Sequence, residues 1–162
     1  MQPVPHLSSR LGTVPALVAV FILSAAVRGP AASEPLEREY LEPVGDLYTQ
    51  IVAVESNGVR TLWVSGQVGR GETLEQQSKE AFANLARRLE AAGAGAGDVV
   101  KLVTYVVDWT AEKADAAFAG FYDLYAGDTE GVPAHTLVGV DALYSPRALI
   151  EVEAVAVVAA GE

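Results

Sequence analysis

Apolar residues recur along this chain with two periods, one of a strand and one of a helix. Tyr48, Gln50, Val52 and Val54 fall on one face of a strand running to Glu55. Asn57-Gly58 follows, a pair that tolerates positive φ at both turn positions, and Thr61 to Gly66 supplies the return strand. Thr73, with Gln76 three residues on, then opens a helix as a capping box. Leu74, Ser78, Phe82, Leu85, Leu89 and Ala92 recur at spacings of three and four, an apolar stripe broken once by a small serine, and Gly93 ends it. Gly93 to Gly97 resembles a phosphate loop only on the surface: it follows a helix and precedes a strand, the reverse of the dinucleotide order, and reads as a connection.

Val99 to Asp108 is nearly continuous in apolar residues, which predicts a strand buried on both faces or in mid-sheet. Thr110 is expected to cap a second helix carrying Ala114, Ala117, Phe118, Phe121, Tyr122 and Tyr125, with Gly127 just beyond its end. That aromatic stripe reads as core. Two further strands follow, Pro133 to Val140 and Leu149 to Ala154, separated by a loop containing Gly, Asp and Pro. Ser33 to Gly45, charged and broken by two prolines, reads as a linker or extended lead-in. The predicted order is β-β-α-β-α-β-β, an α+β fold with two helices packed on one face of a mixed sheet. Self-association is the economical cover for the other face.

Chemistry concentrates in the last two strands. Ile150, Val152 and Ala154 share one face of the pleat, so Glu151 and Glu153 project from the other. A carboxylate on so apolar a strand needs water, a partner or a role. His135, at the head of what reads as the neighbouring strand, is the candidate partner for Glu151.

The chain has 162 residues, no cysteine, two histidines and a net charge of −10. Residues 1–33 read as a secretory signal peptide: Arg10, an apolar run from Val14 to Val27, then Ala31-Ala32-Ser33. An uncleaved anchor over residues 11–27 and a mis-started cytosolic chain are the alternatives. The unbroken apolar part is short of the ~20 residues that span a bilayer. Residues 34–45 are then the linker and 46–160 a single domain, exported to the periplasm or secreted. Its acidity and lack of a basic patch make nucleic acid a poor partner, and none is expected. Zinc sites of Cys and His are excluded, and no metal or cofactor is expected.

The ordered set Tyr48, Ser65-Gly66-Gln67, Asn84, Ala91-Ala92-Gly93, Asp98-Val99-Val100-Lys101, Asp108, Pro133-Ala134 and Glu151-Val152-Glu153-Ala154 resembles the Rid family (YjgF-like, RidA-type) from about Gly45 to Val158. The resemblance implies a chorismate-mutase-like fold and a homotrimer whose sheets form a central barrel, with ligand clefts between subunits. It also implies hydrolysis of 2-imino acids to 2-oxo acids and ammonia, with Glu151 holding the water and Tyr48, Ser65 and Gly66 lining the cleft. Two positions depart from the pattern. His135 stands where the best-known branch has the arginine that clamps the substrate carboxylate, and Phe118 stands at the position of a helix-borne asparagine.

Histidine is shorter than arginine and largely neutral near pH 7, so the departure implies a different small-molecule ligand. Two functions remain open. One is a divergent imine deaminase with Glu151 directing water and His135 handling protons, the cleft lined by Tyr48, Ser65, Gly66 and Phe118. The other is a non-catalytic trimer binding a small, rather apolar metabolite. Arg70 or Arg147 is a candidate replacement for the missing clamp.

Overall fold

The computed structural model describes residues 36–126 and 131–160. The segment assigned to a signal peptide and Gly127 lie outside the described residues. Six strands form one mixed sheet in the order β1-β2-β3-β6-β4-β5. They are β1 (Glu37–Val44), β2 (Tyr48–Ser56), β3 (Val59–Val68), β4 (Val99–Val107), β5 (Ala134–Val140) and β6 (Ile150–Ala159). Helix α1 (Leu74–Ala91) follows β3 and α2 (Ala114–Leu124) links β4 to β5. Only β4 and β5 run parallel; the other neighbours are antiparallel.

The local signals explain most of these elements. Asn57 (φ 53°) and Gly58 (φ 74°) form a two-residue turn that pairs Ser56 with Val59. Thr73 Oγ1 accepts from the Gln76 N–H while Gln76 Oε1 accepts from the Thr73 N–H, the expected capping box. Gly93 (φ 78°) ends α1: its N–H reaches Glu90 O and the Ala94 N–H reaches Leu89 O. Ser78, the break in the apolar stripe, is fully buried, donates to Ala117 O at 2.7 Å and accepts from the Gly120 N–H. Its small size lets α2 approach α1 closely.

Four expectations are corrected. The lead-in before residue 46 is strand β1, paired with β2 from Glu37↔Glu55 to Val44↔Tyr48. Pro43 is tolerated because β1 is an edge strand, where an absent N–H costs nothing. Thr110 does not cap α2; it heads a 3-10 turn, Ala111–Lys113, and α2 begins at Ala114 without a side-chain cap. The last two strands are not neighbours, because β4 lies between β5 and β6. The aromatic stripe is core only in part: Tyr125 is buried, Phe118 and Phe121 are half-buried and Tyr122 is exposed.

The core lies between the sheet and α1, with Phe82, Leu85 and Leu89 on Leu62, Leu102, Val152 and Ala156. The opposite sheet face carries Val52, Trp63, Val103, Glu151 and Glu153, and Trp63 there is 47% exposed.

Candidate functional site

Strict alternation along β6 buries Ile150, Val152, Ala154 and Ala156 against the helices and sends Glu151 and Glu153 to the open face. The partner strand β3 has a bulge here: Val64 pairs with Ala154 and Gln67 with Val152, so Ser65 and Gly66 together oppose Glu153. The extra residue lets both buried positions, Val64 and Gln67, keep facing the core while Ser65-Gly66 bends outward. Bare backbone at Gly66 then makes room for Glu151, whose Oε1 lies 1.7 Å from where a Cβ on Gly66 would stand. Ser65 Oγ donates to Thr49 O at 2.7 Å, which leaves its lone pairs as acceptors.

Tyr48, Ser65, Gly66 and Glu151 line one cleft of about 340 Å³, joined by Tyr144 and Ser145 of the loop before β6. Four of the six residues chosen from sequence are therefore brought together. Tyr144 is 96% exposed; nothing in its loop sequence marked it. Glu151 makes no hydrogen bond or ion pair with another described residue. Burial, and then the neighbouring charge of Glu153, raise its pKa above the ordinary glutamate value. Such a carboxyl group is suited to exchanging a proton with water or a ligand. Glu153 itself accepts a 3.2 Å hydrogen bond from the Tyr105 hydroxyl, whose pKa is raised by burial and by the carboxylates beside it.

His135 and Phe118 lie elsewhere. On β5 His135 pairs with Leu102 of β4, whereas Glu151 pairs with Tyr105. The two are thus separated by a strand, offset by about 10 Å along β4, and on opposite faces of the sheet. Within one chain the expected His135–Glu151 pair does not form. His135 instead sits edge-on to Phe118 (5.4 Å between ring centroids) and beside Phe121 (5.2 Å), with Nε2 2.8 Å from Thr104 Oγ1. Burial, and then the charge of Lys101, lower its pKa and favour the neutral ring. Among the described residues no cluster of His, Cys, Asp or Glu could hold a metal ion.

The Endoribonuclease L-PSP family model matches residues 41–158. The chain belongs to this family, the YjgF/Rid group. The Rid fold recurs in solved structures. A Rid-family protein of unknown function from Yersinia pestis is similar at 34% identity, over 74% of this chain and 97% of that one, with a TM-score of 0.56. RidA from an Antarctic Psychrobacter species is similar at 25% identity, over 76% and 98% of the two chains, with a TM-score of 0.58. A YjgF-family protein from Neisseria meningitidis shares the fold (TM-score 0.62, 78% and 97% coverage) at 22% identity. Against this Rid background the sequence departures at His135 and Phe118 form one aromatic wall, and the carboxylate cleft stands apart from it.

Proposed function

We propose that this Rid-family protein is exported and takes a small metabolite in the Glu151 cleft, with hydrolysis of an imine to a carbonyl compound and ammonia as its reaction. One observation carries the reading: Tyr48, Ser65, Gly66 and Glu151 converge on a single cleft around a carboxyl group of raised proton affinity. Glu151 takes a proton from water as its oxygen bonds to the imine carbon. With the imine entering protonated, this gives a neutral carbinolamine. Return of that proton from Glu151 to nitrogen, and loss of the hydroxyl proton to solvent as C–O becomes C=O, let the C–N bond break and ammonia leave. The endoribonuclease in the family's description is disfavoured by a net charge of −10, which repels a polyphosphate backbone.

His135 joins this chemistry only across a subunit boundary. The Rid resemblance implies a trimer with clefts between subunits, so a second chain would bring its His135–Phe118 wall to the first chain's Glu151. The outer side of β5, unpaired among the described residues, and the exposed Trp63 support such assembly. Export is supported by the pattern of Arg10, the apolar run and Ala31-Ala32-Ser33.

The test is ammonia release from an imine generated in situ by an amino-acid oxidase. Wild type should accelerate release and Glu151→Ala should not; equal rates in the two would end the catalytic reading. The non-catalytic alternative is favoured by the lack of a permanent cation at position 135, and predicts saturable binding with no ammonia. Light scattering reports the trimer, and N-terminal sequencing of the protein from a fractionated host reports processing near Ser33.

A further inference from the structure

Two loops each carry one arginine: Arg70 between β3 and α1, and Arg147 between β5 and β6. A single buried amide draws these loops together. Gln77 Nε2 donates to Gly71 O and to Arg147 O, both at 3.0 Å, while Gln77 Oε1 accepts from the Leu149 N–H at 2.8 Å. The Arg70 N–H is held in turn by Glu80 Oε2 at 2.8 Å. Gly69 packs so closely on α1 that a Cβ would stand 2.0 Å from Gln77 O. The main chain under both arginines is therefore fixed by one helix.

Their side chains are not. Both arginines are exposed, and among the described residues neither guanidinium has an ion-pair partner, whereas Arg60 and Arg88 are neutralised by Glu39 and Glu42. Arg70 and Arg147 line one cavity of about 520 Å³, and it shares Val68 and Ser145 with the Glu151 cleft. In so acidic a protein, two uncompensated cations on a prearranged backbone beside a candidate active carboxyl mark a place for an anion.

We propose that Arg70 and Arg147 are the anion clamp of the ligand site, holding a carboxylate in one lobe while the reacting carbon reaches Glu151 in the other. This rests on the reading of the Glu151 cleft as the ligand site and names its substrate class. The Val68–Ser145 waist separates anion from reacting carbon. The ligand is accordingly a small acid with a carboxylate several bonds from its imine or carbonyl carbon, as in the imine and oxo acid of a dicarboxylic amino acid. Position 135 then needs no arginine, because the fork-shaped contacts come from two other loops.

The test is calorimetric titration of the purified oligomer with 2-oxoglutarate and with 4-methyl-2-oxopentanoate, which is similar in length but lacks the distal carboxylate. Wild type should favour 2-oxoglutarate by about tenfold or more, with affinity falling as salt rises. Arg70→Gln and Arg147→Gln should each weaken 2-oxoglutarate by roughly tenfold and leave 4-methyl-2-oxopentanoate nearly unchanged. Arginine-to-lysine variants should recover part of the loss, and circular dichroism should not change. Unaltered 2-oxoglutarate affinity in the double glutamine variant, or no wild-type binding in the millimolar range, would overturn the clamp. Arginine-dependent binding without imine turnover would support the clamp and sink the catalytic reading, so the two fail separately.

Discussion

Gly66→Ala separates the site from the fold. The new Cβ would stand 1.7 Å from Glu151 Oε1, 2.6 Å from Cδ and 2.8 Å from Cγ, where ordinary contacts begin near 3.4 Å. The carboxylate must retreat by roughly 2 Å, and because Cγ is also too close the whole side chain has to leave its rotamer. That costs about 0.5–1.5 kcal/mol, since the obstacle is the far end of a flexible side chain. The melting temperature should fall by no more than about 5 °C. Misplacing a reacting group by about 1 Å can cost 10²-fold, so ammonia release should fall by roughly a hundredfold. Gly69→Ala is the control: its Cβ meets main chain, Gln77 O at 2.0 Å and Ala81 N at 2.9 Å, neither of which can swing aside. It should lose about 3 kcal/mol of stability. A Gly66→Ala protein with wild-type turnover, or one that melts as early as Gly69→Ala, would refute this account of the bulge.

Glu151→Gln should be more stable than wild type at pH 7. Folding raises the Glu151 pKa, so its ionisation disfavours the folded state once pH climbs through that value. The gain, roughly 1–3 °C in thermal melts, should vanish below about pH 4. For His135 the sign is opposite. Its depressed pKa means the neutral ring is stabilising above the ordinary histidine value, and that stability is lost as acidification proceeds below it. Melting temperatures taken from pH 7.5 to 5 should fall in wild type and flatten in His135→Gln; parallel curves would contradict the burial argument. Gln77→Leu strips partners from Gly71 O, Arg147 O and the Leu149 N–H, and should cost about 2–4 kcal/mol in denaturant titrations.

Elements governed by local rules were legible before the structure. The Asn57-Gly58 turn, the Thr73 capping box and the Gly93 terminator each depend on residues within a few positions of one another. Long-range order was not. Nothing in Leu149 to Ala154 says that β6 enters between β3 and β4, and that insertion is what carries His135 away from Glu151. Strand β1 was missed because its proline and charges, unfavourable in a central strand, suit an edge. The cleft was half legible: Glu151 betrayed itself by its apolar neighbours, and Ser65-Gly66 by the Rid resemblance. The arginine lobe depends on Gln77, a polar residue whose burial on α1 no spacing rule foretells.

The place of β6 also sets the order of events during synthesis. The last of the described strands is a central one, hydrogen-bonded to β3 on one side and β4 on the other. Until Ile150 to Ala159 has emerged, β3 and β4 have no shared neighbour and the sheet remains two separate pieces. Completion of the sheet is thereby deferred until the last of these six strands is made. The proposed export would gain from that delay, because a domain whose central strand comes after its neighbours stays open during passage through a membrane pore, amino end first, and the lock closes only when its key arrives.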